Sequence, residues 1–437
     1  MGVFAKNALI TFLSRVATAI FKIVITVIIA RMLGPRGQGI YSVAVLFPSL
    51  LLIFTSFGLN SAVAYFLGKD EYSKKQVLGT SIIFNFLISG FTILIGLIII
   101  FFFSVRIFPD IEKIYLYLSL SMIPLLLFFN LGCQFLLGLQ KIKKYNIISI
   151  SQSFLFLVFV ATLLLLMRFG VTVTILSQVF SYSIVLLFLL FIVIKEAEGI
   201  DFRMNTKYLK DSFLYGVKVH LAGIFDFLHS RIDLFLINFF LNPFSAGIYF
   251  ASVRLAEGVW LFSISTGTVL FPRISSEKNM ENIKKFTPLV CRNILFLSFF
   301  MILALFLVSG WLITFLYSES FAGAIMSFRI LIIGILTVSG WHILANDLAG
   351  RGKPMLNTYS IGISVLLNIV LNIILIPLWG INGAALATTI SYTIMFLVTV
   401  AFYVKESNNK LRDVIFIKKE DFILYKEVYE NLFSRRG

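Results

Sequence analysis

Between Gly216 and Leu241 the sequence reads GVKVHLAGIFDFLHSRIDLFLINFFL. At about 1.5 Å per residue this run is long enough to cross a bilayer as one helix. Yet it holds Lys218, His220, Asp226, His229, Arg231 and Asp233. An ionised side chain at mid-membrane costs about 2.5–3.5 kcal/mol on insertion scales, so it rarely faces lipid. At about 100° per residue, Lys218, Asp226, His229 and Asp233 share an arc of roughly 80°. His220 and Arg231 fall on the opposite side. Such groups line a water-filled cavity or pair in a buried network. The chemistry open to them is anion binding by the cations and loading of H⁺ or Na⁺ by the carboxylates.

Other apolar runs repeat the pattern. Arg15, Thr18, Lys22 and Thr26 lie within roughly 80° on the first helix. Arg254 and Glu257 stand three residues apart, where a helix lets them pair. Arg292 is close enough to a membrane edge to snorkel. Asp347 is placed to pair with Arg351, and Arg329 and His342 complete the set. Seven basic groups oppose four acidic ones inside the spans. That balance suits an anion such as a phosphate or diphosphate, because Arg offers a fork of donors and Lys a point charge. The expected cationic cavity therefore comprises Arg15, Lys22, Lys218, Arg231 and Arg254. The expected ion-coupling groups are Asp226, His229, Asp233 and Glu257.

The elements that must carry these residues are membrane helices. Of 437 residues, 59% are hydrophobic and 13% charged, with a mean hydropathy of +0.97. A soluble domain is nearer half apolar and a quarter charged. Twelve helices are expected, at about 8–33, 40–67, 78–104, 112–138, 145–167, 171–194, 213–240, 244–271, 289–317, 321–347, 355–376 and 380–404. Cys133 and Cys291 both sit in apolar runs and suggest no disulfide framework. The three histidines have no HExxH pairing, so no metal site is expected, and no Walker A sequence is present. No cofactor is called for. The net charge of +16 lies mostly in loops, which argues for orientation and against nucleic acid. About 25 of the 37 Lys and Arg fall in loops on the side of both termini, and about 5 on the other. Both termini are therefore expected in the cytoplasm, with the chain multi-pass in the cytoplasmic (inner) membrane.

The chain also repeats. LGPRGQGIYSVAV from Leu33 matches LNPFSAGIYFASV from Leu241 at an offset of 208 residues. Gly170 pairs with Gly380, and Ser181-Tyr182 with Ser391-Tyr392, at an offset of 210. Six helices written twice give two copies that enter the membrane the same way, related by an axis along its normal. The first and seventh helices are then equivalent, and their polar stripes are expected to face each other. The divisions are an N-terminal bundle over 1–195, a cytoplasmic linker over 196–212, a C-terminal bundle over 213–404 and a basic tail over 405–437. In the tail, Phe422, Tyr425, Tyr429 and Phe433 have helical spacing among Lys and Arg. That pattern suits an amphipathic helix on an anionic leaflet.

The LGPRGQGIY turn, FGLNSAVAYFLGK after it, and HSRIDLFLINFFLNPFSAGIYFASVRLAE across the seventh and eighth helices resemble the Wzx-type polysaccharide flippases. These belong to the multidrug/oligosaccharidyl-lipid/polysaccharide exporter superfamily, which is MATE-like. The resemblance covers nearly the whole chain except the tail. It implies an all-α, two-lobed transporter that moves undecaprenyl-diphosphate-linked oligosaccharide to the outer leaflet by alternating access. Membrane lipids, the anionic lipid-linked oligosaccharide, and glycan polymerase or assembly proteins would be its partners. Lipid II flippases of the same superfamily usually have fourteen helices, against the twelve counted here. A drug antiporter is disfavoured by the cationic excess, and a polymerase or glycosyltransferase by the short outer loops. A non-transporting scaffold has no need of mid-membrane charge.

The loop asymmetry generates a topology prediction. Reporters fused after Lys75, Lys144, Lys210, Lys285 and Lys353 should read cytoplasmic, and those after Arg36, Pro109, Phe244 and Ser318 should read external. An external signal at Lys210 or Lys285 breaks the twelve-helix count.

Overall fold

In a bilayer every backbone amide must find its partner within the chain, which leaves helices as the solution for a sequence this apolar. The structure, a computed structural model, describes residues 3–167, 170–276 and 280–421. It is all-α over those residues: α1 (Val3–Thr55), α2 (Leu59–Lys69), α3 (Lys74–Ile107), α4 (Lys113–Leu120), α5 (Met122–Gly138), α6 (Ile142–Met167), α7 (Gly170–Ala197), α8 (Thr206–Phe240), α9 (Pro243–Ser276), α10 (Met280–Tyr317), α11 (Ala324–Gly350), α12 (Pro354–Ser407) and α13 (Leu411–Ile415). Eight of these stretches are long and apolar enough to cross a membrane. Two of the eight fold back on themselves. In α1 the break is Gly34, at φ 65°, and Lys22 and Tyr41 consequently line one cavity. In α12 it is Gly380, at φ 57°, which brings residue 383 against the Leu375 carbonyl. With the polar helices α8 and α9, the described residues make twelve crossings. Phe86, Phe102, Leu187 and Leu307, each about 70% exposed, point outward as a lipid-facing surface requires.

Several boundaries depart from the expectation for identifiable reasons. The second crossing is interrupted between Thr55 and Leu59, where Gly58 adopts φ 67°. The fourth divides at Ser121. Pro124 lacks the N–H that would reach the carbonyl four residues back. The expected linker over 196–212 is mostly helix and anchored loop. Asn205 caps α8, its side chain accepting from the Tyr208 amide at 2.9 Å, so the helix starts at Thr206. The loop before it lies on α3, with the Asn205 amide donating to Thr80 Oγ1 at 3.1 Å. Tyr72 Oη donates to Asp211 Oδ2 at 2.6 Å. The first turns of α8 thus pack on the N-terminal bundle. Arg292 does not snorkel. It donates from Nε and Nη2 to the two carboxylate oxygens of Asp421, both at 2.5 Å, and so fastens the chain after α13 to α10. Asp347 pairs with Arg351 as expected. Phe422, Tyr425, Tyr429 and Phe433 lie outside the described residues.

The two repeats meet where the sequence repeats most closely. A Cβ at Gly39 would sit 1.7 Å from the Pro243 carbonyl oxygen, and one at Gly247 would sit 1.9 Å from that of Pro35. Pro35 and Pro243 are repeat equivalents, as are Gly39 and Gly247. Each contact is therefore the image of the other across a pseudo-two-fold axis, the signature of an isologous interface. Only a residue without a side chain permits this approach. Arg31 reinforces the same end by donating from Nε to the Leu316 carbonyl at 2.8 Å. The crossing holds the two bundles together on the short-loop face.

A Cβ at this crossing must push the helices apart. Gly39→Val is expected to open the short-loop face and to raise the labelling rate of Ser42→Cys by a membrane-impermeant maleimide applied from that face. An unchanged rate would show that the crossing does not seal the cavity.

Candidate functional site

Behind the crossing, about 280 Å³ of open space lies between the two bundles. Its walls come from both halves of α1 and from α6, α7, α8 and α9. Three of the expected cations reach it: Lys22, Arg231 and Arg254. They come from the first, seventh and eighth crossings, so the fold gathers charges about 230 residues apart in sequence. Tyr41, Gln152, Gln178 and Tyr182 supply neutral polar surface. Tyr41 Oη donates to Gln178 Oε1 at 2.6 Å.

Glu257 organises the arginines. One carboxylate oxygen accepts from Arg231 Nη1 at 2.6 Å, and the other from Arg254 Nη1 at 2.9 Å. The Arg254 guanidinium also lies 4.7 Å from the Phe250 ring centroid, a cation–π distance. Each guanidinium has five N–H donors in a planar fork, so both keep donors to spare. The side chains remain 25% and 28% exposed, against 16% for Glu257. Three cations and one carboxylate leave the cluster at a net charge of +2. Such a cluster, fixed but not saturated, can receive a divalent oxyanion.

The remaining expected residues separate. Arg15 lies about two turns from Lys22 on α1 and is exposed. It is not among the residues lining the cavity. The Lys218 side chain lies outside the described set. The stripe on α8 does not face the stripe on α1 across the interface. His229 and Asp233 turn into the C-terminal bundle and are 5% and 4% exposed. Asp233 Oδ2 accepts from Tyr249 Oη at 2.6 Å and from Thr388 Oγ1 at 3.4 Å. Its Oδ1 accepts from the Leu234 amide at 2.7 Å. His229 Nε2 is 2.9 Å from Ser364 Oγ and 3.2 Å from Ser391 Oγ. Burial costs a carboxylate less where hydroxyls and amides replace its water; here α9 supplies the Tyr249 hydroxyl, α8 the Leu234 amide and α12 the Thr388 hydroxyl. The cavity is reached instead by Arg231, from the other side of α8. Asp226 is exposed and lines a second, adjoining cavity. Glu257, expected to couple an ion, is the shared counter-ion of Arg231 and Arg254.

The groups that surround these partners show in the sequence as polar residues, though it does not say whom they meet. Asn368 and Asn372 form an i, i+4 pair of amides in an otherwise apolar run, and Ser391 is a repeat anchor. Asn368 Nδ2 donates to Ser391 Oγ at 3.1 Å, and Asn372 Nδ2 to Asn368 Oδ1 at 3.0 Å. The Asn372 Oδ1 is buried without a hydrogen-bond partner. Oxygen donors of this kind suit a hard monovalent cation or a proton. Among the described residues, no group of three His, Cys, Asp or Glu could hold a metal ion.

Known proteins share the sequence and the fold. The family model described as polysaccharide biosynthesis protein matches residues 4–278. An uncharacterized membrane protein of Methanocaldococcus jannaschii is 30% identical over 277 residues, which is 60% of this chain and 65% of that one. A probable low-salt glycan biosynthesis flippase of Haloferax volcanii is 27% identical over 195 residues, 44% of this chain and 40% of that one. The matches thus span less than two thirds of either relative. Among solved structures, a lipid II flippase in an inward closed conformation superposes with a TM-score of 0.76 at 17% identity, covering 98% of this chain and 93% of the other. That likeness is one of fold. Since the family match takes in both halves of the glycine–proline crossing and all four members of the charged cluster, the chain belongs to the polysaccharide biosynthesis protein family.

Proposed function

We propose that this protein is a transporter, not an enzyme, that flips a lipid-linked oligosaccharide across the cytoplasmic membrane by alternating access. The substrate is a glycan joined to a polyprenyl carrier, such as undecaprenol, through a diphosphate. The observation that carries this reading is the +2 cluster of Lys22, Arg231, Arg254 and Glu257. A diphosphate esterified at both ends carries about two negative charges, and Arg and Lys are its natural ligands. The H. volcanii relative, named a probable glycan flippase, supports the same class. In this reading the basic face is cytoplasmic, the short-loop face is external, and the two termini are cytoplasmic. Glycan polymerase or assembly proteins would act on the product.

Losing one charge-assisted hydrogen bond of about 1.5–3 kcal/mol weakens substrate binding tenfold or more. Lys22→Ala and Arg254→Ala should therefore insert normally yet flip slowly in a strain that relies on this protein. Arg254→Lys should recover part of the rate if charge suffices, and little if the fork is needed. Normal transport by both alanine variants counts against the assignment.

Uphill flipping requires a driving ion, H⁺ or Na⁺, and in this reading Asp233 carries it. Its environment of hydroxyl and amide groups can accept either ion without a competing ammonium or guanidinium hydrogen-bonded to the carboxylate. Asp233→Asn should abolish gradient-driven flipping in proteoliposomes while substrate still binds. A variant that responds fully to imposed pH and Na⁺ gradients would reduce Asp233 to a structural group.

A further inference from the structure

The second cavity has a chemistry of its own. It encloses about 820 Å³ and shares Ser49 and Phe227 with the wall of the cationic cavity. Its walls are the end of α1, α2, most of α5, the start of α6, the first half of α8 and Ile361 of α12. The ends of α2 and α5 and the starts of α6 and α8 meet basic loops, so the cavity lies on the basic-face side of the arginine cluster. Asn130 and Gln134, about one turn apart on α5, present their amides to it. His220 also lines it. Phe129 and Phe227 add ring surface. Among the described lining residues there is no Lys or Arg, and the one carboxylate is that of Asp226. Arg231, five residues on along α8, is the described cation whose charge reaches it.

Amides, an imidazole nitrogen and a carboxylate are the partners that sugar hydroxyls and acetamido groups require, and ring faces suit the C–H face of a pyranose. A volume on the order of 300–1,000 Å³ takes a ligand of drug size, which a di- or trisaccharide is. A carboxylate in the wall of a site repels another carboxylate brought against it, and such a repulsive group is how a site rejects a near-identical ligand. We propose that this cavity is a sugar subsite that takes the units nearest the diphosphate as neutral sugars and rejects a uronic acid there, with Asp226 as the specificity-determining group. The proposal rests on the flippase reading, because the cationic cavity must hold the diphosphate for the first sugars to fall here.

The test compares two synthetic polyprenyl diphosphate disaccharides that differ only at one sugar carbon, CH₂OH in one and COO⁻ in the other. Each is presented to the purified full-length protein in liposomes. The neutral substrate should flip at least tenfold faster. In Asp226→Asn the ratio should shrink severalfold, chiefly because the acidic substrate speeds up. Asn130→Asp adds a second carboxylate to the same wall and should widen the ratio, which keeps the test open if Asp226→Asn folds poorly. Equal flipping of both substrates by the unsubstituted protein overturns the subsite assignment and leaves the flippase reading intact. A ratio that neither variant moves also overturns it. Flipping of neither substrate overturns the flippase reading, and this assignment with it.

Discussion

The fold depends on one close approach. Where Gly39 meets Pro243 and Gly247 meets Pro35, two helix backbones touch with no side chain between them. Helices usually pack 8–10 Å apart because side chains intervene. Small residues bring membrane helices closer, where dispersion rather than the hydrophobic effect holds them. The reciprocal contact fixes α1 against α9 on the short-loop face. A second such approach, between Gly58 and Gly216, sets the start of α8 against the N-terminal bundle toward the basic face, and the arginine cluster lies between the two bundles. A bulky residue at Gly39 or Gly247 would push α1 and α9 apart, and with them the Lys22 and Arg254 that they carry into the cavity.

Charge is divided between the two cavities. The cations line the first, with the arginines held by Glu257. Among the described residues lining the second, Asp226 is the one charged type. Asp233 is kept out of both, inside the C-terminal bundle. The repeat makes the last placement informative. Tyr41 and Tyr249 are equivalents, and each donates at 2.6 Å to an interior acceptor. For Tyr41 the acceptor is Gln178, a neutral amide; for Tyr249 it is Asp233. The position equivalent to Asp233 in the first copy is Ile25. One copy thus keeps a neutral version of an arrangement that the other has made ionisable.

The periodicity of the chain made much of this legible. Twelve crossings follow from apolar run lengths, and the matched LGPRGQGIY and LNPFSAGIY segments proved to be the residues that touch. The pairing of Arg254 with Glu257 follows from their spacing. The orientation of α8 was not legible, because helical periodicity sorts residues into faces without saying which neighbour each face meets. Four polar residues on one side suggested the cavity. The decisive facts were the Tyr249 hydroxyl of α9, which Asp233 accepts from, and the Ser364 and Ser391 hydroxyls of α12, over a hundred residues away, which meet His229. Likewise the position of Arg292 near an edge said nothing about Asp421, which reaches it only because the chain turns back after α13. Long-range partners of single polar groups carry no local signal.

The geometry of α8 has a mechanical consequence for the proposed cycle. Asp226 reaches the sugar cavity, Arg231 the cationic cavity and Asp233 the bundle interior, all within about two turns of one helix. Arg231 and Asp233 are two residues apart and point to nearly opposite sides. A helix is stiff over that distance, so neither group moves without the other. An ion that binds Asp233 in one position of α8 more tightly than in another must therefore bias where Arg231 stands, and with it the affinity of the cluster for a diphosphate. By linkage the bias is reciprocal: a substrate that draws Arg231 toward the cavity alters the affinity of Asp233 for its ion by the same factor. No relay of side chains across the protein is needed, because the two sites share a helix and face away from each other.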